Sequence, residues 1–291
     1  MLRIGLPGRI AAVRLAPVPI HRQQCNLFTS KLSSPKRPSL PHGSRLRRQS
    51  SSEGSAETYP GMYGQWSITQ QDLIEVWTYR ICISVVAGTF AAGTALSLIN
   101  PNIAATGVSS ALAGLGAAAL GLALVQIHIY VTPLKRMLQL FWLVGVLGGS
   151  YVLFSTGTAS LPSYVAENNS AVWFIGPSFA ALTGLTFKEG VCYGKGEAFT
   201  LTLLLPALLL GHLSGLGNFG SGAVDHTLAV IVAGLLLVFA GRKYTQPVKD
   251  DIGDGSVFNF MRMSPEEQAA VVSKLESSRG GGGSSNGVDG N

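Results

Sequence analysis

Two groups of ionisable residues stand out in this 291-residue chain because they interrupt long apolar stretches. Lys188, Glu189 and Glu197 lie around the segment Lys188-Glu189-Gly190-Val191-Cys192-Tyr193-Gly194-Lys195-Gly196-Glu197. They should form a charged hairpin at one membrane edge. Ionisable groups there are costly to hold and mark ion paths, proton relays or binding sites. The plainer reading is a hairpin whose charged ends reach water. Just upstream, Gly176-Pro177 falls inside an apolar run. Proline removes a helix hydrogen bond, so we expect a helix break whose freed carbonyls are packed or line a cavity. His212, Asp225 and His226 form the second group. Two imidazoles and a carboxylate suffice for a metal site or proton relay; the alternative is interfacial residues satisfied by water. His128 is a further candidate, as a single axial ligand to a haem or pigment. Cys82 and Cys192 occupy dissimilar settings and read as inert thiols, and Cys25 lies in the basic N-terminal segment. No phosphate-binding loop, zinc-protease helix motif or serine-nucleophile elbow is found. The sequence therefore names no catalytic residue, requires no cofactor and leaves any metal unknown.

These side chains must be held by membrane-spanning helices. Hydrophobic residues make up 47% of the chain and charged residues only 12%, about half the share usual in a soluble domain. From Ile81 to Leu134 there is no Asp, Glu, Lys or Arg. That length accommodates two helices of about 20 residues each, with Asn100-Pro101-Asn102 as the turn between them. Four more spans follow, near Met137–Thr156, Ala171–Phe187, Ala198–His212 and His226–Gly241. The fold class is all-α: a polytopic bundle of about six transmembrane helices over residues 81–241. Ala113, Ala117 and Gly121, Gly176, Ala180 and Gly184, and Gly145 with Gly149 recur at four-residue spacing. Small residues so placed let helices approach closely in lipid.

The basic residues give an orientation. Arg80, Lys135, Arg136, Lys188, Lys195, Arg242, Lys243 and Lys249 all fall on one side of a six-span thread. The other side holds no Lys or Arg. By the positive-inside rule both termini face the stroma, matrix or cytosol.

The formal charge of +6 conceals two unlike parts. Residues 1–52 carry ten Lys+Arg and no acid; the remainder carries eleven Lys+Arg against fifteen Asp+Glu. An Arg-rich, Ser-rich, acid-free start reads as an organelle transit peptide. Its composition fits a mitochondrion or a plastid equally. A basic surface for nucleic acid is not indicated once the parts are separated. Residues 53–80 read as an aromatic, amphipathic lead-in with a capping box at Thr69-Gln70-Gln71-Asp72, lying at the interface before the chain turns into the bilayer. Residues 242–279 read as a tail with one short helix starting at Ser264-Pro265-Glu266-Glu267. Residues 280–291 read as a disordered Gly/Ser/Asn tail.

The stretch GPSFAALTGLTFKEGVCYGKGEA, followed by LLLPALLLGHL, resembles the hallmark region of the uncharacterised integral membrane family called domain of unknown function 2301. The lead-in YGQWSITQQDLIEVWTYR is similar to that family's start, so the resemblance covers about residues 59–245. It implies a cyanobacterial or plastid setting, and hence a chloroplast membrane, thylakoid or inner envelope, ahead of the mitochondrial inner membrane. It implies no activity. Family members tend to carry an aromatic after Lys-Glu, whereas this chain has Gly190-Val191. Short loops and scarce ionisable groups point to a non-enzymatic factor in assembly or maintenance of a chloroplast membrane complex, with subunits of that complex as partners. The rivals are a small-solute or ion transporter and, third, a membrane binder of metal, haem or pigment.

Overall fold

The computed structural model describes residues 57–216 and 222–280. The expected transit peptide, the C-terminal tail beyond 280 and part of the 213–225 loop lie outside these residues.

Among the described residues, six helices are long and apolar enough to cross a membrane: α1 (Gln70–Ile99), α3 (Gly107–Gln126), α4 (Thr132–Thr156), α6 (Val172–Tyr193), α7 (Gly196–Leu213) and α8 (Ala223–Lys243). The short helices α2 (Pro101–Ala104) and α5 (Leu161–Glu167) lie in the loops of one end. The spans form a ring in chain order, each against the next, and α8 closes back on α1. All six supply the central apolar cluster, including Ile83, Leu124, Leu138, Leu185, Leu205 and Phe239. Apolar burial does not drive helix association in lipid, so close approach and interhelical hydrogen bonds must hold the ring. The glycines of α4 serve this role: Gly145 lies against Ser178 and Gly148 against the Phe174 backbone of α6. Trp142 Nε1 donates to the Ala117 carbonyl of α3 at 2.7 Å.

Three expectations change. First, the lead-in and the first span are one helix. The Thr69/Asp72 capping box starts α1, and no Gly or Pro interrupts it before Gly88. Thirty residues reach about 45 Å, longer than a hydrocarbon core of about 30 Å, so its first turns extend past the apolar layer. Second, Gly176-Pro177 does not break span 4, because α6 runs through both residues. Pro177 falls early in the helix, where only one backbone bond is forfeited. Third, the tail contains three helices: α9 (Val248–Ile252), α10 (Gly255–Arg262) and α11 (Pro265–Gly280). The expected start of α11 holds, with Ser264 N donating to Glu267 Oε2 at 2.8 Å.

Before α1, strands β1 (Thr58–Gly61) and β2 (Gly64–Ser67) form an antiparallel hairpin. It packs on α10: Met62 N donates to Asp254 Oδ2 at 2.7 Å, and the Tyr63 and Phe260 rings stack with centroids 3.9 Å apart. Trp66, Val76 and Ile252 make a small core beneath it. Hairpin, α9 and α10 together cap the end of the bundle where Arg80 and Lys243 lie.

Candidate functional site

Beneath this cap, three spans, the α6–α7 connection and the tail bring six charged side chains into one network. Glu189, near the end of α6, is fully buried. Its Oε1 accepts from Tyr79 of α1 at 3.2 Å and Lys188 at 3.3 Å. Its Oε2 accepts from Lys195 at 2.8 Å and from Lys243 of α8 at 2.6 Å. Lys243 also donates to Asp251 Oδ1 of α9 at 2.6 Å. Asp251 Oδ2 accepts from Arg80 Nε at 2.8 Å and Nη2 at 2.6 Å. Arg80 extends the chain to the Gln246 carbonyl at 2.9 Å. Burial pulls the Lys195 ammonium below its usual range, and the Glu189 carboxylate opposes that pull. Side chains this deeply enclosed survive as ions only when paired and hydrogen-bonded.

The chemistry of this cluster is that of a clamp. Every oxygen of Glu189 and Asp251 already accepts two donors. Neither carboxylate retains a spare lone pair aimed at a cavity. A cavity of about 310 Å³ lies alongside, lined by Tyr193, Lys195, Arg242, Thr245, Gln246 and Asp250.

Of the expected hairpin, Lys188 and Glu189 therefore join the network, whereas Glu197 does not. Glu197 Oε2 accepts from Arg242 at 2.6 Å. Its other oxygen is buried without a partner among the described residues. At Gly190 a Cβ would lie 2.8 Å from Phe199 N. α6 and α7 approach too closely for any side chain.

At the opposite end, His212 of α7 and Asp225 of α8 meet as the sequence suggested, with Nδ1 2.6 Å from Oδ2. His212 Nε2 lies 2.8 Å from the Val165 carbonyl of α5. A carbonyl can only accept, so Nε2 carries the hydrogen of that contact. His226 makes no side-chain hydrogen bond among the described residues, so the expected three-residue cluster reduces to a pair.

His128 belongs to neither group. It lies between α3 and α4, with Nε2 3.2 Å from Glu75 Oε2 of α1. Its ring meets Phe258 of α10 edge-on, centroids 5.6 Å apart. Burial lowers its pKa, against an opposing pull from Glu75. Cys82 is buried and Cys192 exposed, and neither is paired among the described residues. Sequence reasoning missed the network's other half. Arg80 and Lys243 registered only as topology signals, and Asp251 registered as nothing.

Residues 122–260 match the family model described as uncharacterized integral membrane protein (DUF2301). The resemblance carried by the Lys188–Glu197 region is thus borne out. The matched stretch starts later than the residues that suggested it and runs on through α9 and most of α10, so the family's region includes the cap's Asp251. No curated protein matches the chain, and no solved structure does.

Proposed function

We propose that this integral membrane protein is a non-enzymatic factor for assembly or maintenance of a chloroplast membrane complex, and that it docks its partner through the cap. The single observation behind this reading is the Arg80–Asp251–Lys243–Glu189 chain. It ties the tail to three spans and commits its carboxylates to structural bonds. Rigid presentation of a polar surface at one membrane face is what such a clamp achieves. The central cluster is filled by apolar side chains from all six spans, which fits a scaffold better than a conduit. The chloroplast assignment rests on the acid-free N-terminal composition together with the family resemblance. A stromal position for the cap rests on the positive-inside rule.

Affinity purification of the tagged protein from chloroplast membranes tests the proposal. Stoichiometric recovery of subunits of one membrane complex is expected, with binding lost in Arg80→Met, which releases the cap.

A second reading, small-solute or ion transport, is favoured by the charge concentration beside the 310 Å³ cavity. Flux in proteoliposomes that vanishes on Glu189→Gln or Glu197→Gln, with no complex subunit recovered, would replace the docking role with this one.

A further inference from the structure

Asp72, Glu75 and His128 each offer one ligand atom, and the three atoms lie within 4.8 Å of one another. Two come from successive turns of α1, where i and i+3 residues share a face. The third comes from the connection between α3 and α4, anchored by the buried Ile127. Groups outside the trio orient each carboxylate. Asp72 Oδ2 accepts from Thr69 N at 2.8 Å and Thr69 Oγ1 at 2.7 Å, which leaves Oδ1 to ligate. Glu75 Oε1 accepts from Gln71 Nε2 at 2.9 Å, which turns Oε2 toward His128. The imidazole is fixed by its edge contact with Phe258. Partners of this kind, holding one atom of a ligand so that the other faces the centre, are the usual support of a metal site.

We propose that Asp72, Glu75 and His128 bind a divalent first-row transition ion of the Zn²⁺ type. The donor set, one imidazole nitrogen and two carboxylate oxygens, suits such an ion better than Mg²⁺ or Ca²⁺, which prefer oxygen alone. Metal–ligand bonds of about 2.0–2.2 Å set the ligand atoms about 3.0–3.5 Å apart. The 3.2 Å between His128 Nε2 and Glu75 Oε2 already has that length. A small rotation of the half-exposed Asp72 completes three ligands, and water fills the remaining positions. The two carboxylates neutralise the ion. Bound there, it would lock the start of α1 to the α3–α4 connection directly beside α10. The inference is independent of the docking role.

The test uses the full chain in nanodiscs, stripped with a chelator and titrated with Zn²⁺ against a chromophoric competitor. One ion per chain is expected, and Co²⁺ in its place should give visible ligand-field bands. His128→Ala and Glu75→Gln should each weaken uptake about tenfold or more, and Gln71→Ala, which removes only an orienting partner, about tenfold. Asp72→Asn preserves an oxygen for the Thr69 cap; weaker uptake with an unchanged circular dichroism spectrum separates ligand loss from misfolding. Cys192→Ser should bind as the unaltered chain does. Absence of uptake at micromolar Zn²⁺, or uptake of one ion unaffected by both His128→Ala and Glu75→Gln, overturns the proposal.

Discussion

The two ends of the bundle solve the same problem, ionisable groups close to a bilayer, in different ways. At the capped end, four cations and two carboxylates interlock across α1, α6, α8, α9 and the α6–α7 connection, and the central members are fully enclosed. At the other end, one His212–Asp225 pair leans on the Val165 carbonyl and keeps partial contact with the surroundings. Serine hydroxyls do the remaining work there, as where Ser160 Oγ donates to the Ala104 carbonyl at 2.8 Å. The difference follows from what covers each end. A hairpin and two tail helices can exclude water and so demand complete pairing of the charges beneath them. Short loops cannot, and single hydrogen bonds suffice.

Breaking each end in turn should expose the asymmetry. Glu189→Ala leaves Lys188 and Lys195 facing no carboxylate and Lys243 with Asp251 alone. Loss of one partner from a buried ion set costs about 3–5 kcal/mol, the largest effect expected, and it should read as a steep fall in the apparent melting temperature in detergent. Arg80→Met removes both donors to Asp251 Oδ2. We expect about 3 kcal/mol and rapid proteolytic clipping between residues 244 and 262, with the bundle otherwise intact. His212→Ala, at the open end, forfeits its contacts with the Asp225 carboxylate and the Val165 carbonyl, about 1.5–3 kcal/mol, and should leave the cap resistant to protease. Ser160→Ala is the mildest, about 1 kcal/mol, visible as a small shift in thermal unfolding. If His212→Ala destabilised the protein more than Glu189→Ala, the contrast between the ends would be reversed.

The same contrast marks where the sequence was informative. The six spans were legible because apolar length and charge-free runs are local signals. His212 and Asp225 could be brought together from sequence because a short loop keeps successive helices adjacent. Lys188 and Glu189 were visible for the same local reason. The partners that give Glu189 its character were not. Tyr79 and Lys243 lie far from it along the chain, and only the closure of α8 onto α1 unites them. Asp251 was hidden because an acidic residue in a polar tail has no periodicity to set it apart. The β1–β2 hairpin gave only an aromatic cluster as its signal. The Gly-Pro step misled because a proline need not end a membrane helix: α6 runs through Pro177 and α7 through Pro206, and α4 glycines pack against the Phe174–Ser178 turn.

Paired charges hold the tail as a cap on one end of the bundle. Hydrogen–deuterium exchange of the full chain in nanodiscs tests it most directly. Slow exchange is expected at residues 248–262 in the unaltered protein and in His212→Ala, and fast exchange there in Arg80→Met. Fast exchange of that segment in the unaltered protein, or equal protection in Arg80→Met, would contradict it.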